Sequence, residues 1–67
     1  MIHLSVNGQA RRLEPGANVV RLLDALELSG KRIAVEKNGE IVPRSRYADT
    51  ALADGDTLEI VVAVGGG

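Results

Sequence analysis

The chain has 67 residues, 45% of them apolar, and the large apolar side chains are nearly all aliphatic: eight Leu, eight Val and four Ile against one aromatic, Tyr47. This allows one small core and no second domain, and with no Cys and only His3 it excludes a disulfide framework, a thiolate zinc site, an iron–sulfur cluster and a Cys nucleophile. Eight Lys and Arg against nine Asp and Glu give a net charge of −1, so phosphate-driven nucleic-acid binding is not expected, and base-stacking aromatics are missing as well.

Ile2-His3-Leu4-Ser5-Val6 alternates apolar and polar residues, the period of a half-buried strand. Asn7-Gly8 suits a two-residue hairpin turn, because both positions tolerate positive φ. A second strand over Gln9 to Leu13 then returns antiparallel. A strict two-residue turn would set Leu4 opposite Arg11 on the core face, so a bulge or a longer loop is expected there. Asn18 is placed to cap a short helix whose apolar stripe is Val19, Leu22, Leu23 and Leu26. Ser29-Gly30 ends it, with Gly30 as the left-handed residue beyond the cap.

Ile33 to Lys37 forms the next strand, Asn38-Gly39 a second turn of the same kind, and Glu40-Ile41-Val42 a brief strand stopped by Pro43. Arg44 to Ala53 has no clean period and reads as a surface connector anchored by Tyr47 and Leu52. Asp54-Gly55-Asp56 is a tight turn. Thr57 to Val62 is β-branched and nearly all apolar, as in a strand with neighbours on both sides. Strand, strand, helix, strand, short strand, strand is the order of a β-grasp fold. It predicts an α+β mixed sheet of four to five strands packed on one helix, as a single domain over 1–67, with a flexible tail over 63–67.

Catalytic groups are hard to find. His3 has no acidic or Cys partner at a useful spacing and reads as a surface histidine. No Gly-x-Ser-x-Gly surrounds Ser5, Ser29 or Ser45. Asp54 and Asp56 lack the remaining ligands of a calcium loop and read as turn formers. The chain is therefore not expected to be an enzyme, and no bound cofactor or metal is expected. The opening residues lack the features of a secretion signal, and no apolar stretch approaches the roughly 20 residues of a membrane span, so a cytoplasmic location is expected, with no membrane partner and no nucleic acid.

The ending is the conspicuous feature. Val64-Gly65-Gly66-Gly67 follows directly on the last strand. It reads as a frayed end, a linker scar, or a thread thin enough for a partner's active site, since glycine has no Cβ to obstruct a narrow channel.

Over its whole length the chain resembles the bacterial ubiquitin-like sulfur carriers of the ThiS family. The resemblance lies in Ile2-x-Leu4-x-Val6-Asn7-Gly8, in the middle stretch from Ala34-Val35-Glu36-Lys37-Asn38-Gly39 through Pro43-Arg44-x-x-Tyr47, and in Leu52-x-Asp54-Gly55-Asp56-x-Leu58-Glu59-Ile60 with the glycine terminus. The middle stretch sets it apart from MoaD, the counterpart in molybdopterin synthase. The resemblance implies a carrier that a ThiF-like adenylyltransferase activates with ATP at Gly67. A cysteine-desulfurase relay then supplies sulfur, leaving a thiocarboxylate for ThiG, the thiazole synthase of thiamine biosynthesis. Gly65 and Gly66 would thread into the partner. Val61, Ala63 and Ala34 are candidate docking residues if Leu58, Ile60 and Val62 face the helix. Val64 reads as an anchor or merely the strand's end, and Arg44 and Arg46 as rim contacts or solvated loop charges. A molybdopterin-type carrier and a β-grasp interaction module with an incidental tail are the alternatives.

Overall fold

The structure, a computed structural model, describes residues 1–63. Its elements are β1 (Ile2–Val6), β2 (Gln9–Leu13), α1 (Val19–Ala25), β3 (Ile33–Lys37), β4 (Glu40–Val42) and β5 (Thr57–Val62). The strands form one five-stranded mixed sheet in the order β2-β1-β5-β3-β4, with β5 parallel to β1 and antiparallel to β3. This is the ubiquitin-like β-grasp arrangement, and the apolar run of β5 has the two neighbours its composition implied.

The first hairpin has no bulge. Asn7 and Gly8 both take positive φ, 51° and 82°, the primed turn whose twist matches that of the strands. The register then runs unbroken, with Ile2 opposite Leu13, Leu4 opposite Arg11 and Val6 opposite Gln9. Arg11 is tolerated beside Leu4 because β2 is an edge strand, of which only Leu13 is buried.

Alternate residues of β5, Leu58 and Ile60, join Leu4, Val6, Val35 and Val42 on the sheet's inner face, where they meet Val19, Leu22 and Leu23 of α1. Leu22, Leu58, Val19 and Val35 are fully enclosed, each contributing ~1.5–3 kcal/mol of burial. Asn18 caps α1 as expected, its side chain accepting from the Arg21 amide at 2.8 Å.

The helix ends earlier than the Ser29-Gly30 signal suggested. The Leu28 amide bonds to the Leu23 carbonyl at 2.8 Å and the Glu27 amide to that of Asp24 at 3.1 Å, the paired bonds of a Schellman motif. Its left-handed position is held by Glu27 (φ 60°), not by Gly30. The connector from Arg44 is also more ordered than its lack of period implied: Arg44–Asp49 is a 3-10 helix that buries Tyr47. A bridge between Asn18 and Ala51 fastens it to the start of α1, and Leu52 is buried behind it.

Candidate functional site

β5 carries the chain toward the glycine run, and both Asn-Gly turns grip it. The Asn7 side chain accepts from the Ile60 amide at 2.7 Å and donates to the Ile60 carbonyl at 3.0 Å. It thus extends the β1–β5 ladder past the end of β1. At the other end of β5, the Asn38 side chain accepts from the Thr57 amide at 2.9 Å and donates to Asp56 at 3.0 Å. On the β3 side the ladder runs to its last residue pair, and beyond it the Ala63 amide donates to the Arg32 carbonyl at 2.9 Å. Ala63, placed at the start of the predicted tail, is therefore still tied to the sheet. Val64, Gly65, Gly66 and Gly67, and with them the expected flexible thread and the modified residue, lie outside the described residues.

The turn before β5 is fixed by its two aspartates. Asp56 is buried, accepting from Asn38 and from the Ala53 amide at 2.8 Å. Asp54 accepts from the His3 amide at 2.7 Å and lies 3.2 Å from His3 Nδ1. His3 does therefore have an acidic partner, supplied by the fold from 51 residues away. The His3 amide, and secondarily its ring, hold the Asp54 carboxyl below the usual carboxylate range. Both side chains are exposed, and their bonds fix the turn before β5 to the first strand. Among the described residues no group of three or more His, Cys, Asp or Glu is placed to hold a metal ion, and no helix is long and apolar enough to cross a membrane.

With Leu58 and Ile60 facing α1, Glu59 and Val61 face outward by alternation. Val61 is 65% exposed and lies beside Ala34; in the next row Glu59 opposes Glu36, and Glu36 opposes Ile41, itself 66% exposed. Two large aliphatic side chains thus stand on the sheet's open face around a like-charge cross-strand pair, an arrangement that costs the isolated fold stability. Ile41 was absent from the predicted docking set. The signal was local: Ile41 and Val42 are adjacent in a three-residue strand, so only one of them can face the core. Arg44 does not join this patch. It lies across the sheet, lining a hollow with Val20 and Leu23 of α1. Arg46 lines another hollow beside Lys37 and Ile41.

Comparison with known proteins agrees with this fold. A thiazole synthase of Paramagnetospirillum magneticum is 47% identical over 64 residues, which are 96% of this chain, but the chain spans only 20% of that protein's length. The sulfur carrier protein ThiS of Bacillus subtilis is 37% identical over 65 residues, covering 96% of this chain and 98% of its own. The crystal structure of the thiamine biosynthesis protein ThiS from Geobacter metallireducens superposes with a TM-score of 0.83 at 35% identity, covering 98% of this chain and all of the other. Residues 4–67 match the sequence profile of the ThiS family. The chain belongs to the ThiS family.

Proposed function

We propose that this protein is a sulfur carrier of thiamine biosynthesis and that its reactive group is the carboxyl of Gly67. The observation that carries this reading is the fastening of β5: a central strand, held by turn asparagines at its first residue Thr57 and at Ile60, leads without a bulky residue beyond Val64 into Gly65-Gly66-Gly67. A carboxylate resists substitution because oxide is a poor leaving group. In the proposed sequence a ThiF-like adenylyltransferase joins the Gly67 carboxylate to the α-phosphorus of ATP with loss of pyrophosphate. The terminal sulfur of a persulfide from a cysteine-desulfurase relay then displaces AMP, and a thiol reductant cleaves the acyl disulfide so formed, leaving a thiocarboxylate on Gly67 and a disulfide on the donor side. The carrier supplies recognition and reach, and its partners supply the catalysis.

Thiazole synthase is the proposed acceptor. The relative bearing that name contains a stretch like this chain within a polypeptide about five times as long; holding two reacting modules on one chain raises their effective concentration. The docking surface proposed for the partners is the open face formed by Val61, Ala34 and Ile41, with Ala63 beside it. Exposed aliphatic groups on a sheet gain stability when a partner covers them.

The test is the intact mass of the chain before and after incubation with the activating enzyme, ATP and a sulfur source. The expected result is the gain of one sulfur for one oxygen, placed on Gly67 by fragmentation and abolished by deletion of Gly66 and Gly67. No gain, with an activating enzyme that converts its own carrier, would overturn the reading.

A further inference from the structure

On the helix side of the sheet, a hollow of about 270 Å3 opens between α1, the connection after it, the first residue of β3 and the 3-10 helix. Its apolar lining includes Val20, Leu28, Ile33 and Tyr47, and two exposed cations, Lys31 and Arg44, stand in its polar wall with Ser29. Val20 stands 45% exposed on a helix whose other valine is wholly buried, so the hollow is not a closed part of the core. An Arg44 guanidinium nitrogen lies 3.5 Å from the Lys31 carbonyl, which sets the two cationic residues side by side. The ion pairs among the described residues engage His3, Arg21 and Lys37 and leave both of these out.

Its position is as informative as its composition. Ile33 pairs with Val62, and the Arg32 carbonyl accepts from the Ala63 amide. The hollow therefore adjoins the point where the chain leaves the described fold, on the opposite side of the sheet from Val61. Its volume is below the roughly 300–1,000 Å3 of pockets that enclose a small-molecule ligand, and an inorganic anion at the two cations would leave its apolar wall unfilled. One aliphatic side chain beside a carboxylate satisfies both the wall and the cations.

We propose that this hollow is a second docking point for thiazole synthase, taking an aliphatic side chain of that enzyme next to an acidic one. The proposal rests on the carrier reading and deepens it. The open face and the hollow grip the partner from the two sides of β5, which fixes the direction of the tail as well as its position.

The experiment compares the unaltered chain with the double variant Lys31→Glu/Arg44→Glu, titrated against thiazole synthase at low and high salt. The expected result is an affinity lowered tenfold or more, with a weaker salt dependence, while thermal unfolding is unchanged. If the double variant melts early, Lys31→Gln/Arg44→Gln takes its place with the same readings. Unchanged affinity and salt dependence overturn the proposal, and so does binding of ATP or pyrophosphate to the isolated chain that the substitutions abolish. Conversion of Gly67 is followed in parallel by mass. Failure to convert the unaltered chain counts against the carrier reading, whereas normal conversion with undiminished binding counts against the hollow alone.

Discussion

The same dipeptide, Asn-Gly, occurs at both hairpins, and local rules explain it by the positive φ of its first residue, 51° at Asn7 and 52° at Asn38. The structure adds a second reason: each carboxamide bonds to the backbone of β5. Asn7→Ala removes two hydrogen bonds, at ~0.5–1.5 kcal/mol each, and with them the short polar side chain that lets Asn tolerate the left-handed region, at ~1 kcal/mol. The expected loss is about 2–4 kcal/mol, read from urea unfolding at constant m-value. Asn7→Gly relieves the backbone but not the lost bonds, so it should fall between the two. The turns were legible in the sequence because their chemistry lies within two residues. The clamps were not, since Ile60 is 53 positions from Asn7, and the same distance in sequence hid the pairing of His3 with Asp54.

At the level of elements, every strand and the start of the helix could be read from the chain, because apolar periodicity and the Asn18 cap are local signals. The end of the helix could not. Ser29-Gly30 carries the composition of a terminus, but the Leu28 amide returns to the Leu23 carbonyl, and both side chains line one hollow. That contact sets the stop three residues earlier and obliges Glu27 to adopt φ 60°. Glu27→Gly removes this strain at some cost in unfolded-chain entropy, so a net gain of about 0.5–1 kcal/mol is expected, visible as a raised midpoint in thermal or urea unfolding. The 3-10 helix over Arg44–Asp49 was hidden for a related reason. Its order comes from buried Tyr47 and from the bridge to Asn18, not from a repeat of its own.

Over the whole molecule, the sheet divides the surface into a covered face and an open one, and alternation along β5 in the sequence already sets Val61, with Ala34, on the open side. Alternation within β4 marks Ile41 as outward, but its nearness to Val61, like the placement of Arg44 across the sheet, depends on strand order. Val61→Asp should cost about 1 kcal/mol and leave the domain folded, since the side chain is exposed but Asp is a poor strand former and joins Glu59 and Glu36 on one face. The same change should lower affinity for thiazole synthase tenfold or more, measured by titration of the two purified proteins. The central place of β5 also has a mechanical meaning. Its hydrogen bonds to β1 and β3 lie across the strand axis, so a pull on the chain beyond Ala63 loads both ladders in shear, all bonds together, where an edge strand peeled sideways would give way one bond at a time. An enzyme drawing the terminus inward therefore hauls on a firm handle, and the domain keeps its shape while its end is worked upon.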